Sequence, residues 1–202
     1  MKYKKIGEGW QYSVYDLGNG RVLKKYHSWL GSFWVMFKDC YPFTNHWPTE
    51  FPSFIRAGRQ IAIESFKILE EHQVSPEWIG NPKFLGALDF EQDKVTPLHE
   101  VFETARTEEI KKYVDLFIEL NSRFLKLGFI DKSFNITKNY GIAKNGNLVL
   151  TDIGELFDNP EKIKRQLNDK VWYKSYVGGC IKDLEARKYF LDQMDKFAKI
   201  YR

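Results

Sequence analysis

The residue types best suited to chemistry gather between Gly128 and Leu156, in the stretch GFIDKSFNITKNYGIAKNGNLVLTDIGEL. Within it, Tyr140-Gly141-Ile142 and Leu148-Val149-Leu150 are short apolar runs separated by Lys144-Asn145-Gly146-Asn147. Asn-Gly between apolar runs signals a β-hairpin, because both residues tolerate positive φ. Asn139 stands at the entrance of this hairpin and Asp152 at its exit. Antiparallel pairing would bring the two ends together, so that an amide oxygen and a carboxylate converge on one point. Such oxygen ligands suit a hard divalent cation such as Mg2+. Gly154, just after the aspartate, permits a sharp turn. By itself the pattern fits a polar hairpin equally well, and the rest of the chain has to decide.

A second set lies near the N-terminus. A short strand over residues 3–6 leads into Gly7-Glu8-Gly9-Trp10-Gln11-Tyr12-Ser13-Val14-Tyr15 and a second strand that ends at Leu17. After the turn Gly18-Asn19-Gly20, a third strand runs from Arg21 to Tyr26. Glycines at 7 and 9 let backbone N–H groups approach a ligand closely, as in loops that cover phosphates. Taken alone, Gly-x-Gly is also an ordinary turn. The twofold period of a strand puts Val22 and Lys24 on one face of the third strand, beneath that loop. Glu64 falls in the middle of a helical pattern from Ala57 to His72, where by itself it reads as a surface carboxylate.

The elements that would position these groups follow from periodicity. Residues 27–54 are aromatic and rich in Pro, Gly and Asn, and read as an insertion in which Phe33–Phe37 forms a short apolar strand or turn. Phe84–Phe90 and Lys94–Leu98 read as two further strands of the first sheet, with Gln92-Asp93 at the turn between them. Pro97 makes the second of these short or places it at an edge. From Thr107 the helical period is clear through Ile110, Val114, Phe117, Leu120 and Phe124. Thr107 is the expected N-cap, Glu108 and Glu109 suit the first turn, and Gly128 ends the helix. Asn159-Pro160-Glu161 opens another helix, and a final one runs from about Ile181 to Tyr201. The pattern predicts an α+β chain in two lobes. Residues 1–100 form a small antiparallel sheet plus one helix, residues 101–202 form a helical lobe around one hairpin, and the two join near His99 to Glu103.

Composition narrows the function. The 202 residues suffice for a sizeable core, and the net charge of +4 is too small and too dispersed to argue for nucleic acid. No apolar run approaches the roughly 18 residues that span a bilayer, and Met1-Lys2-Tyr3-Lys4-Lys5 leads into a glycine-rich stretch rather than a signal region. No membrane partner is expected. Cys40 and Cys180 lie far apart and form no metal-ligand pair, which makes a reducing cytoplasm the default. Six Trp, 11 Tyr and 16 Phe point to an aromatic core. The segment from Trp29 to Trp47 is the place where an exposed patch for a partner would fall.

In this order and spacing, the signals resemble the protein-kinase-like fold over most of the chain. Gly7, Gly9 and Val14 stand at the first, third and eighth positions of that family's glycine-rich loop, while Tyr12 replaces the glycine often found at the sixth. Val22-Leu23-Lys24 resembles the strand-three lysine motif, and Asn139 with Asp152-Ile153-Gly154 resembles the metal-binding asparagine and Asp-Phe-Gly. The resemblance implies ATP and Mg2+ as cofactors: Lys24 on the phosphates, Glu64 rather than Glu70 or Glu71 orienting Lys24, and Asn139 and Asp152 on Mg2+. The family's catalytic aspartate stands five residues before the asparagine, where this chain has Phe134; the nearest aspartate, Asp131, is eight residues before Asn139. Asp131 then takes the role of base through a longer loop over residues 132–138. After Gly154 there is no Ala-Pro-Glu motif, which resembles the compact bacterial or phage type with a reduced helical C-terminal lobe. The implied activity is phosphoryl transfer from ATP to a hydroxyl of a protein or small molecule. The alternative is a pseudokinase-like module that binds nucleotide and regulates a partner.

Overall fold

A computed structural model of the chain describes residues 3–40, 47–174 and 176–201. Residues 41–46 of the aromatic segment, and Met1 and Lys2 of the leading basic run, lie outside the described residues. The protein is a mixed α+β chain that divides into two compact units, Met1–Glu64 with Asn81–Lys94 and Ser65–Gly80 with Val95–Arg202.

The first unit is built on an antiparallel sheet. Strands β1 (Lys4–Glu8), β2 (Tyr12–Asp16) and β3 (Arg21–Tyr26) are followed by helices α1 (Trp29–Cys40) and α2 (Phe51–Glu71), of which the residues from Ser65 on belong to the second unit, then by β4 (Lys83–Gly86) and β5 (Asp89–Asp93). The order across the sheet is β1-β2-β3-β5-β4. β3 is therefore central, with Val14 and Phe90 opposite Lys24 on its two sides. Pairing of Arg21 with Asp93 at 2.7 Å and of Lys94 with Asp16 at 2.6 Å ties the strand ends together.

Two expectations are corrected here. Residues 29–40 form a helix, not a strand or turn within an irregular insertion, and α2 starts at Phe51 rather than Ala57. The reason is shared packing. Met36, Phe51 and Ile55 form one buried cluster against which Phe33 packs, so the two helices stabilise each other. The other face of α1 leaves Trp29, Leu30 and Trp34 exposed. The later strands also shift. Gly86 (φ 120°) and Ala87 (φ 47°) make the turn, so that Gln92-Asp93 lies inside β5 instead of at a bend.

The second unit holds strand β6 (Thr96–Pro97), helices α3 (Leu98–Thr104) and α4 (Thr107–Leu127), β7 (Ile130–Asp131), the single turn α5 (Ile136–Asn139), β8 (Tyr140–Ile142), β9 (Leu148–Leu150), β10 (Leu156–Phe157), α6 (Pro160–Asn168) and α7 (Leu184–Ile200). The expected hairpin is present. Tyr140 pairs with Leu150 and Ile142 with Leu148, and in the connecting turn Gly146 takes φ 84°. β6 joins this hairpin through Thr96 and Ile142 rather than extending the first sheet, and β7 pairs separately with β10.

α4 buries Ile110, Val114, Phe117, Leu120 and Phe124 along one stripe and ends at Gly128, as its period requires. Its N-cap is Arg106 instead of Thr107. The Thr107 hydroxyl donates instead to Asp183 at 2.7 Å, and Asp183 caps α7 by accepting the Ala186 N–H. One aspartate thus fixes the start of α7 against the start of α4. Further along, the Phe117 ring lies 4.7 Å from Tyr140 and 5.9 Å from Phe190, which joins α4, the hairpin and α7 in one core. Truncating Phe117 to alanine should destabilise the protein by roughly 3–5 kcal/mol, the usual loss for a fully buried phenylalanine, as read from urea unfolding followed by circular dichroism.

Candidate functional site

The geometry of the second unit centres on Asn139, and the chain reaches it through a strained turn. After β7, Phe134 adopts φ 51°, a left-handed conformation that costs a bulky residue energy. Its ring is buried edge-on to Trp172 and Phe197, with centroids at 6.2 and 6.0 Å, and this packing offsets the strain. Asn135 then caps the turn of α5, its side-chain oxygen accepting the Lys138 N–H at 3.2 Å, while its amide nitrogen donates to the Tyr176 carbonyl at 2.9 Å. Phe134, the residue five before Asn139, is therefore an anchor.

Asn139 joins both ends of the hairpin. Its main-chain carbonyl accepts the Thr151 N–H at 2.7 Å, the Asp152 N–H at 3.3 Å and the Thr151 hydroxyl at 2.9 Å. Its side-chain nitrogen donates toward both oxygens of Asp131, at 3.2 and 3.3 Å, and to the Ser133 hydroxyl at 3.0 Å. Acceptors on one side of the amide fix its orientation, because only the NH2 can serve them. The side-chain oxygen of Asn139 is left with no hydrogen-bond donor among the described residues. Asp152 is half-buried, and Oδ1 takes a long 3.4 Å bond from the Gly154 N–H, while Oδ2 has no donor among the described residues. Two oxygens thus stand unengaged on residues joined by a main-chain hydrogen bond.

Those oxygens match the donor set of Mg2+, which binds one or two protein oxygens and completes its octahedron with phosphate and water. Among the described residues no group of three or more His, Cys, Asp or Glu side chains is placed to hold a metal. A cation here would depend on a bound phosphate for its remaining ligands.

Asp131 lies beneath this pair and is fully buried. Besides the Asn139 amide, its Oδ1 accepts the Ser133 N–H at 3.1 Å. The Tyr140 hydroxyl beside it donates to Asn121 at 3.0 Å. Burial, with the charges of Asp152 and Glu155 adding to it, raises the Asp131 carboxyl from 3.8 to about 7 against the opposing hydrogen bonds from Ser133 and Asn139. The position expected for a base is occupied by a carboxyl that is sealed from solvent and engaged in orienting Asn139.

In the first unit, Gly7 pairs with Val14 and Glu8 with Ser13, so the predicted loop is the bend between β1 and β2. A Cβ on Gly7 would meet only Val14 at an ordinary 3.7 Å, and one on Gly9 only the Tyr12 carbonyl at 3.9 Å, so neither glycine is required by its neighbours. Val22 is buried, and the Lys24 ammonium lies 5.7 Å from the Phe90 ring centre on the same face. Glu64 lies off the buried stripe of α2, exposed, and accepts a hydrogen bond from Gln60 at 2.9 Å. The structure does not bring it to Lys24.

Ser65, one residue on, was not singled out by sequence. It is buried, and within the second unit its hydroxyl accepts the Leu156 N–H at 2.8 Å, just beyond the Asp152-Ile153-Gly154 run. The spacing of Phe51, Ile55, Gly58 and Ala62 identifies Ser65 as the inward-facing position of the helix.

The buried carboxyl has a pH signature. Its folded pKa lies above the unfolded one, so its contribution to stability is complete below about pH 4 and is lost as pH rises through about 7. Urea unfolding should show Asp131→Asn losing less stability than wild type between pH 5 and pH 8, by a few kcal/mol; equal pH dependence would contradict this environment for Asp131. No protein-family model matches the chain, and no curated protein matches it in sequence.

Proposed function

We propose that this protein is a kinase-like phosphotransferase that binds ATP with Mg2+ and moves a phosphoryl group to a hydroxyl of a protein or small molecule. The observation that carries the reading is the Asn139–Asp152 pair, whose unengaged oxygens are held by the hairpin and by Asp131. In this reading Asn139 and Asp152 hold Mg2+, and the metal spreads the charge of the phosphates as they react. The Gly7–Val14 bend covers the phosphates with backbone N–H groups, Lys24 supplies the fixed positive charge, and Val14 and Val22 give the nucleotide an apolar wall. Phosphoryl transfer is catalysed mostly by positioning and charge neutralisation, the roles that the resemblance gives to these groups.

Glu64 has no part in orienting Lys24 in the arrangement observed, and Asp131 acts on Asn139. The sealing of Asp131 favours a second reading, in which nucleotide and Mg2+ bind without efficient transfer and the protein regulates a partner. Binding and turnover separate the two.

Calorimetric titration with ATP should show binding that needs Mg2+. Asp152→Asn should weaken it on the order of tenfold or more, the scale of losing a charged ligand to the metal. Gly9→Ala should leave the unfolding midpoint nearly unchanged while weakening nucleotide binding, since the added methyl makes only an ordinary 3.9 Å contact with the Tyr12 carbonyl and would crowd a bound phosphate. If wild-type protein binds no ATP with or without Mg2+, the proposal fails. Should ATP bind tightly while labelled γ-phosphate is released to neither water nor any acceptor in a cell extract, the regulatory reading replaces the enzymatic one.

A further inference from the structure

The bend between β1 and β2 is anchored in a way that its glycines do not explain. At its tip the Trp10 indole lies against the backbone of α2 at Gly58. A Cβ at Gly58 would fall 2.1 Å from Trp10 Cη2 and within 3.0 Å of two further ring atoms, so the ring fills the space that any larger residue would need. Next to it, Gln11 is buried and its side-chain amide reaches the Gly58 carbonyl at 3.4 Å. On the strand side, the His27 N–H donates to the Gln11 carbonyl at 2.9 Å, and His27 Nε2 lies 2.9 Å from the Gly9 carbonyl. The Gly9 N–H closes the bend on the Tyr12 carbonyl at 2.8 Å. Main-chain N–H groups of Trp10 and Gln11 are left with no acceptor among the described residues. Two successive N–H groups without a protein acceptor, held at a turn, are available to an anion.

We infer that Trp10 is a positioning residue: seated on Gly58, it locks the glycine bend in one pose and so presents the Trp10 and Gln11 N–H groups to the phosphates of a bound nucleotide. The inference rests on the nucleotide-binding reading above and adds to it a lock, with Gly58 as the seat. A bend that carries two small residues is mobile by default. Fixing it before the ligand arrives lowers the ordering cost of binding. Gly58 in mid-helix is itself unfavourable relative to alanine, which gives its presence here a packing reason.

The test uses the full chain and the variants Trp10→Ala, Trp10→Phe and Gly58→Ala. Hydrogen exchange over residues 7–14, read by mass spectrometry without ligand, reports the lock; calorimetry with ATP and Mg2+ reports its consequence. Trp10→Ala should speed exchange in the bend and weaken ATP on the order of tenfold, with far-UV circular dichroism unchanged. Trp10→Phe should restore much of both, and Gly58→Ala should behave like Trp10→Ala because its methyl displaces the ring. Unchanged exchange in Trp10→Ala overturns the lock. Faster exchange with wild-type ATP affinity overturns the positioning role while leaving nucleotide binding intact. Absence of ATP binding by the wild-type protein sinks the nucleotide reading itself and this inference with it, a result distinguishable from either of the others. A misfolded Gly58→Ala leaves the decision to the two Trp10 variants, whose site is a partly exposed bend.

Discussion

The hydrogen bonds made by Asn139 are the constraint on which the second unit's site depends. One residue serves both ends of the β8–β9 hairpin: its carbonyl receives Thr151 and Asp152, and its side-chain nitrogen serves Asp131 and Ser133. Because the acceptors all lie on the NH2 side, the opposite oxygen is directed away from them. Burial makes the Asp131 carboxyl costly to ionise even against the hydrogen bonds it accepts from Ser133 and Asn139, and the buried group serves to orient one amide. The same arrangement makes Asp131 a poor candidate for contact with a substrate, since every approach to it is taken by the protein.

Support for this arrangement comes from ordinary packing. Phe134 tolerates a left-handed backbone because Trp172 and Phe197 enclose its ring, and the Trp172 indole N–H is itself held by Asp195 at 3.1 Å. Lys170 and Tyr173 converge on the same aspartate, which fastens the short turn after α6 to α7. Phe117 brings α4 and the hairpin together from the other side. Apolar packing thus holds the backbone from which the polar groups of the site are presented. In the first unit the division of labour is similar: the sheet sets the place of Lys24, while Trp10 on Gly58 holds the bend that precedes it in the chain.

The aromatic segment that follows β3 carries little periodic signal because its pattern serves two purposes. Phe33 and Met36 face Phe51 and Ile55, and the intervening exposed positions are also aromatic, as at Trp29 and Trp34. A helix that is apolar on both faces has little amphipathic contrast, and the period that reveals α4 is missing. Glu64 reads as a surface carboxylate from its own residues and is exposed; only the resemblance pairs it with Lys24. Sequence position put it in the middle of a helix, but the face it occupies depends on which residues the rest of the fold covers. Ser65, small and polar, turned out to hold the inner place.

By itself the sequence determined what local physics determines: the hairpin from Asn145-Gly146 between apolar runs, the long amphipathic α4 with its terminal glycine, and the first three strands with Lys24 on the face of Val22. It also placed Asn139 and Asp152 at adjoining strand ends, since register and turn length are local properties. Tertiary structure alone decided that Asp131 is sealed and engaged with Asn139, and that Trp10 finds a seat at Gly58. These are contacts between residues far apart in the chain or outcomes of burial. No spacing rule encodes them, because burial depends on what the whole chain covers.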